Sequence, residues 1–170
     1  MNGTIIARCS RRFLATSALA AAFLLVATGG TRAQTPARIT LQDALALIEA
    51  GQQEALAKNY RLSFAVVDAR GDLIALARMP GAGAATTDTA IGKAMLSAIY
   101  GQPSAALVQR QTSPVTQAMN EATGGRFRFL QGALPIVRGG FTVGAIAASG
   151  ATSQQDEDSA RAALSAVNLR

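Results

Sequence analysis

The chain has no histidine and no tryptophan, and its single cysteine is Cys9, near the N-terminus. These gaps exclude a good deal of chemistry. Without histidine or clustered thiols there is no usual zinc site, no Ser-His-Asp triad and, past residue 9, no thiolate nucleophile. A lone cysteine also cannot form an internal disulfide, so a hydrophobic core must hold the domain together. Aromatic residues make up only 5% of the chain and include just two tyrosines, Tyr60 and Tyr100. Any catalysis would fall to carboxylates, lysine, tyrosine, serine or threonine, or to a bound cofactor.

Acidic residues are scarce as well, 10 against 16 basic ones, for a formal charge of +6. The excess is unevenly placed. Arg8, Arg11, Arg12 and Arg32 all precede residue 34, and no acidic residue does. A basic head, an apolar run over Phe13–Thr28 and the small-residue sequence Thr31-Arg32-Ala33 follow the order of an export signal. That run, roughly 16 residues, is shorter than the ~20 needed to span a bilayer, so no stable membrane anchor is expected. Ser10-Arg11-Arg12-Phe13-Leu14 resembles a twin-arginine signal, one residue short of the usual spacing; general secretion is the alternative route. Cleavage after Ala33 divides the chain into a signal, 1–33, and one domain, 34–170, that is periplasmic or secreted. The domain keeps 12 basic and 10 acidic residues, a balance of only +2. Nucleic acid is therefore not an expected partner.

Within the domain, Thr40 reads as a helix cap with Asp43 in the first turn. Leu41, Ala44, Leu45, Ile48 and Ala55 form an apolar stripe, and Asn59 is a stop. Arg61–Ala69 and Leu73–Met79 read as an antiparallel hairpin around the turn residues Asp68–Asp72. After a glycine-containing loop, Thr87–Tyr100 reads as a helix with Ile91, Met95, Ala98 and Ile99 inward. Shorter helical pieces follow at Pro103–Gln111 and Ser113–Ala122. Arg126–Leu130, Leu134–Arg138 and Phe141–Ser149 read as strands, the last two joined at Gly139-Gly140. The small residues Gly144, Ala145, Ala147 and Ala148 imply a close neighbour. A last helix starts near Ser153, with Asp156, Glu157 and Asp158 in its first turn. The fold class is α+β: a single antiparallel sheet of about five strands flanked by helices.

Two stretches carry a resemblance. The first is Asp68-Ala-Arg-Gly71-Asp-Leu73, with Arg78-Met79 and Ala90-Ile-Gly-Lys93-Ala94 beyond it. The second comprises Gly132-Ala-Leu-Pro135-Ile136, Gly140-Phe-Thr-Val-Gly144-Ala145-Ile146, Ser149-Gly150-Ala151 and Gln155-Asp156-Glu157-Asp158-Ser-Ala160. Together they resemble the GlcG/HbpS-like family, which includes haem-binding proteins and the C-terminal domain of PduO-type cobalamin adenosyltransferases. The resemblance covers about residues 38–168. It implies an α/β/α-type domain with a five-stranded sheet, homo-oligomers, and for several members haem binding with proposed haem degradation.

The chain departs from the family pattern where Met95-Leu96 follows Lys93-Ala94 in place of Arg-Thr, and where Gly132-Ala133 replaces paired glycines. Some relatives ligate haem through a histidine, which this chain lacks. If haem binds, the remaining side chains for iron are tyrosine and methionine. Tyr100, at a helix end, is the better tyrosine, and Met79 and Met95 are the nearest methionines; packing is the alternative role for all three. Arg78 and Lys93 could pair with propionates or another ligand carboxylate, or form ordinary salt bridges. Gly132 and Asp156 enter as cofactor-binding candidates, and the resemblance implies pocket or oligomer positions at Gly150 and Asp156. The Asp156–Asp158 cluster could otherwise hold a hard cation or complement the helix N-terminus. The leading expectation is an exported, oligomeric small-ligand binding protein with haem or a related tetrapyrrole as ligand. The alternatives are an enzyme acting on a small metabolite through Lys93, Arg78 or a carboxylate, and an accessory oligomer without a ligand.

Overall fold

The structure, a computed structural model, describes residues 38–169. The expected export segment lies outside the described residues. In chain order the elements are α1 (Leu41–Ala57), β1 (Ser63–Asp68), β2 (Leu73–Arg78), α2 (Thr86–Tyr100), a 3-10 segment (Ser104–Thr112), α3 (Pro114–Ala122), β3 (Ala133–Arg138), β4 (Phe141–Ser149) and α4 (Ser153–Ala166). The strands form one antiparallel sheet in the order β2-β1-β4-β3. The α+β class with a single antiparallel sheet therefore holds.

Side-chain alternation on the two central strands divides the core. Phe64 and Val66 of β1 and Ile146 and Ala148 of β4 face α1 and α4, meeting Leu47, Ile48, Ala160 and Ala163. Ala65, Val67, Ala145 and Ala147 face α2, whose Ala90, Ala94 and Ala98 lie one turn apart on the same side. Small residues on both surfaces bring helix and sheet close together, which is the neighbour that the alanine-rich strand implied. On the other face Gly144 is equally tight, because a Cβ there would run into the Val67 carbonyl of the paired strand and approach Ile39.

Local sequence explains most boundaries. Thr40 and Asp43 form a reciprocal capping box at the start of α1. Asn59 ends that helix with φ 60°, a conformation asparagine tolerates. The β3–β4 turn uses Gly139 and Gly140 at φ 56° and 82°, the positive values a two-residue hairpin turn requires.

Three expectations need correcting. Arg126–Leu130 is not a strand; it runs extended over α2 with no ladder partner, so the sheet has four strands. Its alternation is real, since Phe127 is buried against Met95, Leu96 and Leu107, but the surface beneath it is a helix. Gly92 permits that contact, because a Cβ there would meet the Arg126 carbonyl oxygen and lie 2.5 Å from Arg128 Cγ. Thr152, not Ser153, caps α4, in a box with Gln155. On α1, Leu41 and Leu45 are exposed, and the buried face turns toward Leu47 and Gly51. The Phe64 ring sits directly over Gly51, which fixes that rotation.

Candidate functional site

Three of the six candidate residues meet at one point. Lys93 projects from α2 and donates to Asp156 Oδ2 of α4 at 2.9 Å and to the Gln131 carbonyl at 3.2 Å. The second Asp156 oxygen accepts the Ala151 N–H at 3.0 Å. The Lys93 and Asp156 side chains are 2% and 5% exposed. Gly132 closes the nook at φ 132°, and a Cβ there would lie 2.5 Å from Lys93 Nζ and 2.9 Å from Asp156 Cβ. Burial pushes the Lys93 ammonium below its usual range and the Asp156 carboxyl above, while each partner's charge pulls the other back. Both charges are spent on each other. The node ties α2 to α4, and a ligand carboxylate reaching Lys93 would have to displace Asp156 from a dry site.

The other three candidates lie apart from it. Arg78 donates twice to the Ala82 carbonyl, at 3.0 and 2.6 Å, and so folds the loop after β2 back on itself. Met79 is 3% exposed in the core facing α1 and α4. Tyr100 donates toward Thr116 Oγ1 at 3.2 Å and Met119 Sδ at 3.3 Å. Its ring meets Phe127 edge-on and carries the Arg110 guanidinium 5.7 Å from its centroid. Met95 is 1% exposed beneath Phe127. The acidic trio also disperses: Asp156 turns inward to Lys93, Glu157 pairs with Arg161, and Asp158 accepts from Gln154.

A concave site that sequence reasoning missed lies at the opposite end of the sheet. Arg38, Ile39, Asp68, Ala69, Arg70, Ile74, Thr142 and Val143 line a groove of about 590 Å³, well within the range of small-molecule sites. Its floor is aliphatic, from Ile39, Ile74 and Val143, and its charged lining is Arg38, Arg70 and Asp68.

The loop that frames the groove is rigidly built. Asp68 Oδ1 accepts the backbone N–H of Arg70 at 2.8 Å and of Asp72 at 3.0 Å, an aspartate-closed turn. Gly71 takes φ 85°, and a Cβ there would lie 2.8 Å from Met95 Cγ. The Arg70 guanidinium rests on Asp72 Oδ2 at 3.1 and 2.6 Å. Those side chains are 82% and 57% exposed, so the pair is weak and readily exchanged. Across the groove, Arg138 holds the Arg38 carbonyl at 3.1 Å and lies 3.0 Å from Asp43 Oδ2, fixing the segment that enters α1. The signal for this site was present in Asp68-Ala-Arg-Gly71-Asp, a dense polar run at the end of a fully buried strand. Its turn chemistry masked it.

An antiparallel sheet covered by helices on both faces, with an amphipathic groove at one end, defines a small α/β/α ligand-site domain. The chain belongs to the HbpS-like family, described as haem degrading protein HbpS-like, whose model matches residues 39–165. It is 34% identical over 124 residues to protein GlcG of Escherichia coli strain K12, covering 68% of this chain and 84% of that protein. A double mutant of Streptomyces reticuli HbpS superposes with a TM-score of 0.69 at 28% identity, over 85% of this chain and 97% of that one. The PduOC:haem complex has the same fold, with a TM-score of 0.69 at 23% identity over 78% of this chain and 96% of that one.

Proposed function

We propose that this protein is an exported tetrapyrrole-binding protein, with haem as its principal ligand, held in the groove between the Asp68–Asp72 loop and the start of α1. The observation that carries this reading is an aliphatic floor with two arginines, Arg38 and Arg70, among the residues that line one groove of about 590 Å³. That is the complement of a flat apolar ring bearing two carboxylates. Membership of the HbpS-like family and the haem bound by the PduOC relative support the same ligand.

The groove residues fit the ring and its propionates but offer iron neither nitrogen nor sulfur. The nearest donors are the Asp68 carboxylate and the Thr142 hydroxyl. When bound, haem would supply the redox chemistry of its iron, and this chain's residues would orient and shield it. Titration with hemin should give a saturable Soret shift that Arg70→Ala weakens; no shift at micromolar protein rejects the reading. Haem degradation belongs to the same proposal, and its check is loss of the bound Soret band with release of an open-chain product when dioxygen, the oxidant, and a reductant are both supplied.

Export is proposed on the N-terminal pattern, and N-terminal sequencing of protein recovered from fractionated cells should begin at Gln34. Homo-oligomerisation is proposed from the exposed apolar side chains Leu41, Leu45, Val137 and Phe141. Native mass spectrometry reports subunit number and retained ligand together. The enzymatic alternative through Lys93 is disfavoured by the burial of its ammonium against Asp156.

A further inference from the structure

We infer that the groove recognises the porphyrin ring and its carboxylates rather than the iron, so that iron-free dicarboxylic porphyrins are ligands of the same standing as haem. This rests on the tetrapyrrole reading above and sharpens it. Every group of this chain that bonds strongly to iron is absent from the groove or engaged elsewhere. Histidine is absent, and the one cysteine is Cys9, in the segment expected to be removed.

Methionine beyond Met1 is limited to three positions. Met79 and Met95 are 3% and 1% exposed in separate parts of the core, and Met119 takes the Tyr100 hydroxyl. Of the two lysines, Lys93 is buried against Asp156 at 2.9 Å, and Lys58 lies at the end of α1 in a surface pair with Glu54. Tyr100 is engaged with Thr116 and Met119, and Tyr60 packs against the core that faces α1 and α4. None of these lines the groove. A second copy of the chain would bring only the same set. What the groove does present is aliphatic surface, two arginines, the Thr142 hydroxyl and the Asp68 carboxylate, whose Oδ1 already accepts two backbone N–H groups; the apolar surface and the cations do not sense the metal.

The distinction matters because a strong axial bond normally makes metal identity decisive for affinity. Here the free energy comes from burying an apolar ring and from guanidinium–carboxylate contacts, and both are identical in hemin and in protoporphyrin IX. Esterifying the carboxylates removes the second contribution and leaves the first.

The test is parallel titration of the whole protein with hemin, protoporphyrin IX and protoporphyrin IX dimethyl ester, followed by absorbance and porphyrin fluorescence. Hemin and protoporphyrin IX should agree within about threefold in Kd, and the dimethyl ester should bind at least about tenfold more weakly. Arg70→Ala and Arg38→Ala should weaken both acids by similar factors; both residues are exposed, so the fold is preserved. Hemin bound more than about tenfold tighter than protoporphyrin IX overturns the inference while leaving the tetrapyrrole reading intact. A spectrum of tyrosinate-bound iron that is lost in Tyr60→Phe or Tyr100→Phe overturns it in the same way. Binding of neither porphyrin rejects the tetrapyrrole reading itself.

Discussion

Removing one partner of the Lys93–Asp156 pair is expected to destabilise the fold far more than removing both. At the 2.9 Å separation, attraction at an effective dielectric near 20 is about 6 kcal/mol. Moving each ion out of water opposes this by several kcal/mol. The intact pair is therefore close to neutral for stability, whereas Lys93→Met leaves a buried carboxylate supported by backbone N–H groups and no cation. That single change should cost about 3–5 kcal/mol, equivalent to a fall of roughly 10–20 °C in Tm for a domain of this size. The double variant Lys93→Met/Asp156→Leu should recover most of the loss, to within about 1 kcal/mol of the parent.

The single variant carries a second signature, in pH. Burial already raises Asp156 above its unfolded value of 3.8, and loss of the ammonium raises it further. The folded state then binds a proton that the unfolded state has released, so stability falls as pH rises from the unfolded pKa toward the folded one, by about 1.4 kcal/mol per unit. The penalty of Lys93→Met should accordingly be smaller near about pH 5 than near about pH 8. With no tryptophan in the chain, far-UV circular dichroism during urea unfolding is the suitable probe. A single-variant cost under about 1 kcal/mol, or a double variant as unstable as the sum of the singles, refutes the reasoning.

Three further outcomes follow from the packing. Gly92→Ala should cost about 1–3 kcal/mol and increase proteolytic nicking within 126–130, because the new methyl would meet the Arg126 backbone. Ser104→Ala should cost about 1–3 kcal/mol in the same urea assay, since Ser104 is fully buried and its Oγ is the acceptor for the Ala133 N–H at 2.9 Å. The Thr40 backbone N–H, aided by the Thr40 hydroxyl and Arg138, holds the Asp43 carboxyl below its ordinary 3.8. Its stabilisation is complete above the unfolded pKa and is lost as pH falls through the folded one. Asp43→Asn should therefore flatten the acid limb of the stability profile below about pH 4, and an unchanged limb would show that Asp43 does not drive it.

Much of the fold could be read in the sequence because its signals are local. The Thr40 cap, the Asn59 stop, the paired glycines at 139 and 140 and the apolar run along β1 each act within a few residues, and each element formed where expected. Arg126–Leu130 misled because period two reports an extended chain with one buried side and says nothing of whether a sheet or a helix lies beneath. The rotation of α1 was likewise hidden, since it depends on the Phe64 ring meeting Gly51, a contact between separate elements. Of the candidate residues, Lys93, Gly132 and Asp156 were each legible through motif pattern, but neither their meeting at one point nor their burial was. A charged motif residue reads the same whether its partner is a ligand or the chain itself.

That ambiguity separates, by physical role, two clusters drawn from the patterned stretches of this sequence. Around Lys93, Gly132 and Asp156 the polar atoms named above are satisfied within the chain, at 1–4% residue exposure for the two charged members, and they form a closed ion pair. Around Asp68–Asp72 the backbone is equally constrained, with the Asp68 carboxylate fixing the turn, yet the Arg70 guanidinium is left on an exposed and exchangeable partner. Rigid backbone under a loosely committed charge is the arrangement that favours ligand binding, because ordering costs are met at folding and the cation can be redirected without exposing a buried group. The two clusters resemble each other in polarity, but only the second leaves charge available to another molecule. It is therefore at the Arg38–Arg70 groove, and not at the buried pair, that substitutions should alter binding while leaving the fold intact.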